Sequence, residues 1–437
     1  MDAPPETAGP LAPPSSPRID SPRRKGNATR LFHFVREMVR LRAHDSDRPR
    51  VVTHTVTFRC NAKCMMCDSW RLPGQDELTT EEVERIYAAL PTVDVLRLTG
   101  GEPFLRKDLG AILSLGVRHL GPRFIHITTN GFLTKRIVDV VERRDLSVPL
   151  QLLVSIDGVA DKHDEVRGVP ESYGRAMATI EELAPRRREL NLQLAVNQTV
   201  VDAEGAGHYG PLRDILAALQ VPLHLVVAYK ESATYSTVRD LARAVDGADA
   251  YETYGAFTRA EIGALLDEAE RDLASLARPE RMAKGYYLAG LRRRLLGEDG
   301  PASPACVALH AHLRIFPNGD VPTCQQNTQI VGNLREARFD QVWAGAAAHQ
   351  QRAWVKACAG CWAECEVLPS AIYTGELLRH AMRRPALHAA SKKQPRVSAQ
   401  PIVPRSDRGE VRLPSDVPSL TPPVASNLPA PADEAKT

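Results

Sequence analysis

The sequence predicts an α/β fold on a parallel sheet, followed by a small cysteine-rich α+β extension. Three observations carry this. Between about 50 and 228, six short β-branched-rich runs alternate with amphipathic helical patterns. Three of the eight cysteines follow the first run directly, and the other five lie beyond position 300. The stretch of about 236–297 between them is rich in Leu, Ala and Arg/Glu and reads as helix.

The strands are expected at Val51–Thr57, Val93–Thr99, Phe124–Thr129, Leu150–Ile156, Leu192–Val200 and Leu223–Ala228. After the first strand, Thr79-Thr80-Glu81-Glu82 reads as a capping box. Val83, Ile86, Tyr87 and Leu90 then make an apolar stripe at i, i+3, i+4, i+7. Similar patterns cover about 108–119, 134–144, 172–184 and 211–219. Strands joined this way form right-handed βαβ units and a parallel sheet, curled into a barrel or left open. In such a sheet a ligand site lies at the C-terminal strand ends. Further on, Asn318-Gly319 signals a type I′ hairpin turn within Leu313–Thr323.

Both ends read as disordered: residues 1–28 are rich in Pro, Ser and Ala, and residues 385–437 alternate Pro with polar residues. A basic amphipathic stretch, Leu31 to Leu41, reads as a helix. The expected organisation is a core at 50–230, a helical connecting region at 231–300 and a cysteine-rich domain at 301–375.

With 437 residues, 43% hydrophobic, the chain is long enough to bury a sizeable core. Its 56 basic and 53 acidic residues nearly balance, which disfavours nucleic acid and anionic membranes as partners. Runs such as Arg186–Arg188 and Arg292–Arg294 read as solvated faces. No apolar run of about 18 residues exists to span a membrane, and the Pro-rich start lacks the form of a signal peptide. The expected location is cytoplasmic. In that reducing compartment, clustered cysteines point to metal or catalysis rather than disulfides.

Cys60, Cys64 and Cys67 form C-x3-C-x2-C. Three thiolates on one short loop wrap an inorganic centre and leave one ligand position over. Zinc with a fourth ligand such as His54 stands beside an iron–sulfur centre as a reading of this spacing.

TFRCNAKCMMCDSW followed by LRLTGGEPFLR resembles the radical SAM superfamily. The resemblance covers about residues 50–228 and implies a partial (β/α)6 TIM-like barrel. It also implies a [4Fe–4S] cluster on Cys60, Cys64 and Cys67, whose open iron binds S-adenosylmethionine (SAM). Met66 stands where the family often has an aromatic residue near adenine. Gly100, Gly101, Glu102 and Pro103 match the motif facing the SAM amino group. Asn130 ends the third strand, and Ser155 and Asp157 at the fourth strand's end are implied contacts of the SAM ribose or carboxylate. The plainer alternative for Asp157 is a helix N-cap. Arg167 resembles a family arginine near the SAM carboxylate, against a solvated surface charge, and Asn197 of the fifth strand is a further candidate.

The remaining cysteines are Cys306, Cys324, Cys358, Cys361 and Cys365. C-x12-G-x4-C from Cys306 to Cys324, and GNLREARFDQVW after it, resemble the opening of the SPASM and twitch extensions of radical SAM enzymes. Five cysteines suit one auxiliary [4Fe–4S] cluster, with Cys306, Cys324, Cys358 and Cys361 as ligands in a twitch-like arrangement. Cys365 is then a spare or replaces one of them, and a structural zinc site is the alternative.

The activity this implies is reductive cleavage of SAM to a 5′-deoxyadenosyl radical that takes hydrogen from a substrate, supported by a one-electron donor such as flavodoxin or ferredoxin. The substrate is a small molecule or a peptide. The Pro-rich first 50 residues leave no room for a leader-binding domain of about 80 residues, which tilts the expectation toward a small molecule. A non-catalytic zinc scaffold and an RNA-modifying enzyme are the other classes. Tyr251, Tyr254, Tyr286 and Tyr287 either cover the barrel mouth or pack on their helices.

Overall fold

A computed structural model describes residues 36–44, 48–72, 74, 76–230, 234–235 and 251–387. The expected N-terminal tail lies outside the described residues, as does most of the C-terminal one. A helix Glu376–Leu387 runs into the segment read as tail. Of the stretch Leu31 to Leu41, the described part is helical.

Apolar β-branched runs become strands where both faces are covered. The strands are β1 (Val51–Thr57), β2 (Val95–Gly100), β3 (Phe124–Thr129), β4 (Leu150–Ser155), β5 (Leu192–Val200) and β6 (Leu223–Val227). All pair in parallel with their sequence neighbours, and β7 (His312–Ile315) pairs in parallel with the free side of β1. The sheet order is β6-β5-β4-β3-β2-β1-β7, a partial TIM-like barrel closed off at one edge by the extension. The expected boundary near 300 therefore separates no sheet, because the extension donates a barrel strand.

The helices lie on one face. Thr79 and Glu82 make the capping box that starts Thr80–Ala89, and Val83, Ile86 and Tyr87 of that helix are buried. They pack with Leu96, Leu98, Ile125 and Ile127 of the sheet in one core. Each such fully buried side chain contributes about 1.5–3 kcal/mol. Along β2 and β3 buried residues alternate with half-buried ones, and the half-buried side chains on the face away from the helices are Val95, Arg97, Thr99, Phe124, His126 and Thr128. The barrel interior, or lumen, is thus apolar at Val95 and Phe124 and polar from Arg97 and His126 onward.

The hairpin expectation is corrected. β7 joins the barrel sheet, whereas β8 (Asp320–Pro322) pairs antiparallel with β9 (Ile330–Asn333). The turn is closed by Gly319 N–H donating to the Phe316 carbonyl at 3.0 Å; neither central residue, Pro317 or Asn318, has a positive φ, and Gly319 after them has φ +93°. A type I′ turn needs two such residues. Pro317 fixes φ near −65° at the first central position and shifts the turn one residue earlier.

Candidate functional site

The site is assembled by the loop that leaves β1. Its shape is set by backbone contacts that only glycine permits. Gly101 N–H donates to Thr57 O at 2.9 Å and Glu102 N–H to Arg59 O at 2.8 Å. A Cβ on Gly100 would sit 2.2 Å from Thr57 O, and one on Gly101 2.3 Å from Arg59 O. The glycine pair thus fits against the backbone that carries Cys60. From the other side, Lys63 N–H donates to Arg167 O at 2.8 Å and Met65 N–H to Val166 O at 3.0 Å.

Glu102 is fully buried. Its carboxylate accepts from Phe104 N–H, Thr129 Oγ1 and Asn130 N–H at 2.7–3.0 Å. Burial pushes its pKa up to about 7, against the pull of these three donors. Pro103 opens the short turn that follows. Asn130 donates through Nδ2 to Asn61 Oδ1 at 2.7 Å, tying the end of β3 to the cysteine loop.

Arg167 is buried, so the surface-charge reading is corrected. Its Nε pairs with Asp157 Oδ2 at 2.7 Å, and its Nη1 donates to Cys64 Sγ at 3.5 Å. Asp157 Oδ1 accepts from Thr199 N–H at 2.9 Å. The helix Asp161–Arg167 has Ala160 as its N-cap, so Asp157 is not a cap either. Both carboxylate oxygens of Asp157 are spent on the protein. Ser155 and Asn197 stand in register on β4 and β5, and Asn197 Oδ1 is buried with no hydrogen-bond partner among the described residues. Met66 packs against Val166, Val201 and Ala228. Tyr254 donates to Met65 O at 2.9 Å, whereas Tyr286 and Tyr287 are buried and stack with Trp362.

His54 faces the helices and pairs through Nδ1 with Tyr87 OH at 2.7 Å. Burial lowers its pKa to about 3. It is committed to the core, which corrects its reading as a fourth zinc ligand.

The three thiols are donors of the right chemistry for an iron–sulfur centre. Ala62 N–H donates to Cys60 Sγ at 3.4 Å and Ser69 N–H to Cys67 Sγ at 3.5 Å. Burial, then the neighbouring thiols and Glu102, push Cys60 to about 12, and burial takes Cys67 to about 11. Thiolates so destabilised require a cationic centre to hold them ionised. Among the described residues no three His, Cys, Asp or Glu side chains close around a single ion.

In the extension, Cys358 raises the Cys306 thiol, Cys306 raises Cys324, and both Cys306 and Cys324 raise Cys361. Gly360 N–H donates to Cys358 Sγ at 3.4 Å. Cys365 Sγ accepts from Arg314 Nη2 at 3.3 Å. The adjacent Glu366 is buried and held by Arg314 at 2.7 Å and His312 Nδ1 at 3.1 Å, with its pKa driven far down by the Arg314 charge first and then by His312. The first residue of each basic run at 186–188 and 292–294 is ion-paired. Arg186 pairs with Glu142 and Glu189, and Arg292 with Asp267, Glu270 and Glu298.

Two groups at the site went unnoticed in the sequence. Tyr235 is enclosed by Phe58, Leu72 and Phe316 and pairs with Thr99 Oγ1 at 3.4 Å. Arg97 of β2 projects into the lumen, and alternation within the run VLRLTG is the signal that marks it as inward-facing. No helix among the described residues is long and apolar enough to cross a membrane.

Residues 55–192 match the family model of the radical SAM superfamily, and residues 306–362 match SPASM, an iron–sulfur cluster-binding domain. The AdoMet-dependent heme synthase of Methanosarcina barkeri is 26% identical over 69% of this chain and 84% of its own length. Mycofactocin maturase MftC of Mycobacterium ulcerans is 29% identical over 70% of this chain and 78% of its own. The structure of native anSMEcpe with bound AdoMet and Cp18Cys peptide aligns over 78% of this chain and 99% of its own, at a TM-score of 0.48 and 15% identity.

Proposed function

Because the chain belongs to the radical SAM superfamily and carries a C-terminal SPASM iron–sulfur domain, we propose that it is a SAM-cleaving oxidoreductase or maturase whose reaction takes place in the barrel lumen. Cys60, Cys64 and Cys67 hold the [4Fe–4S] centre, and Cys306, Cys324, Cys358 and Cys361 hold one auxiliary cluster. When bound, the first centre supplies the electron that splits SAM into methionine and a 5′-deoxyadenosyl radical, which takes a hydrogen atom from substrate.

The chain's residues bind, orient and exclude water. Gly100 and Gly101 hold the cysteine loop and leave backbone carbonyls for the SAM ammonium, since Glu102 is committed to Thr129 and Asn130. Asp157 positions Arg167, which lends positive charge to Cys64 and to the SAM carboxylate. Asn197 offers its unpartnered Oδ1, and Ser155 its hydroxyl, to the ribose. Met66 supplies the apolar wall for adenine in place of the family's aromatic ring.

The observation that carries this reading is the cysteine loop itself, pinned by a glycine pair on one side and by Arg167 on the other. The test is 5′-deoxyadenosine formation from SAM and dithionite by the anaerobically reconstituted protein. Wild type is expected to form it and Cys64→Ala to form none. Equal yields from the two proteins contradict the assignment.

A further inference from the structure

One row of the sheet is polar from edge to centre. Arg314 of β7, Thr53 of β1, Arg97 of β2, His126 of β3 and Gln151 of β4 stand in register on the lumen face. Buried polar groups are normally paired, and nearly all of this row is. Arg314 is taken by Glu366, and Thr53 Oγ1 pairs with His312 Nε2 at 2.8 Å. His126 bonds Gln151 at 2.9 Å and Thr128 at 3.1 Å.

Arg97 is different. Its Nη1 donates to the Cys365 carbonyl at 3.1 Å, and among the described residues no carboxylate pairs with it. The nearest acidic groups are already used, Glu364 by Lys284 at 2.5 Å and Glu366 by Arg314 and His312. A guanidinium offers five N–H donors, so most of its capacity is open. Arg97 is half-buried and stands on the strand face turned away from the helices. A cation with so little solvent is costly unless an anion meets it. It lies one same-face step, about 7 Å, below Thr99. Thr99 in turn touches Tyr235, beside Cys67.

Resting on the SAM-cleaving reading above, we propose that Arg97 is a substrate-binding residue and that the substrate carries a carboxylate. The planar fork of Arg97 takes the carboxylate, and the remainder of the substrate extends past Thr99 and Thr128 toward the cysteine loop. One unpaired cation matches one negative charge, and the neighbouring row supplies too few further donors for a phosphate.

The probe is 4-fluorobenzoate, with its uncharged isostere 4-fluorobenzamide, observed by ¹⁹F line broadening on anaerobically reconstituted holoenzyme with SAM. Broadening by wild type is expected for the acid and not the amide, with affinity for the acid falling at least about tenfold in Arg97→Gln. Arg97→Lys, which keeps the charge without the fork, is expected to fall between the two. Acetate is expected to displace the probe at lower concentration than inorganic phosphate. No binding to wild type, equal binding by acid and amide, or equal affinity in Arg97→Gln overturns the proposal. Displacement by phosphate ahead of acetate overturns the choice of carboxylate. Substrate-free 5′-deoxyadenosine formation is measured on the same wild-type samples. Its absence from wild type counts against the SAM-cleaving reading and leaves the anion result to be judged separately.

Discussion

Arg167 and Asp157 form a buried ion pair, Nε to Oδ2 at 2.7 Å, that joins the end of β4 to the cysteine loop through Cys64. The Arg167 guanidinium contacts both the Asp157 carboxylate and the Cys64 sulfur. Removing Asp157 leaves a buried cation uncompensated. Asp157→Asn is therefore expected to lower unfolding free energy by about 3–5 kcal/mol, read from urea denaturation. A change under about 1 kcal/mol shows that Arg167 does not depend on Asp157.

Gly100 and Gly101 sit against the carbonyls of Thr57 and Arg59. Gly101→Ala is expected to force the loop away and lose iron from the first site, read as iron per chain. Gly110→Ala is the matched control. Nothing lies within 4 Å of its added methyl, and in a helix that change adds up to about 1 kcal/mol. Equal iron content in the two variants contradicts the steric account.

Glu102 has its folded pKa raised from 4.5 to about 7. The folded chain then holds a proton that the unfolded chain has released, so this residue's contribution to stability falls as pH rises through that window. The apo-protein is expected to lose about 3 kcal/mol between pH 4.5 and 7 from this group, and Glu102→Gln to flatten that slope. Parallel pH profiles for the two proteins refute the assignment.

Cys365 Sγ accepts a hydrogen bond from Arg314. Cys365→Ser is expected to keep the iron of the second site, whereas Cys361→Ala loses about four irons per chain. Loss of iron from Cys365→Ser makes it a ligand.

How much of this could be read in the sequence follows from what each residue packs against. The runs Val51–Thr57, Phe124–Thr129 and Leu192–Val200 are strands with the expected bounds, because their burial on the helix face dictates β-branched and apolar residues. β7 escaped notice as a barrel strand because His312 and Arg314 project into a polar lumen and break the apolar pattern. The helix Asp161–Arg167 escaped too. Its sequence, DKHDEVR, is polar except for Val166, yet Lys162, His163 and Arg167 are buried among charged and ring partners. The cysteines announced themselves by spacing. Gly100, Gly101, Glu102 and Asp157 stand in readable motifs as well, but the motifs do not reveal that Glu102 and Asp157 turn inward to protein donors or that the glycines fit against backbone.

The measurement that tests the central claim most directly is iron content and 5′-deoxyadenosine yield of the chain reconstituted anaerobically with iron and sulfide, then given SAM and dithionite. The account predicts about eight irons per chain, as two [4Fe–4S] clusters, with 5′-deoxyadenosine formed. Zinc in place of iron, with no 5′-deoxyadenosine, contradicts it.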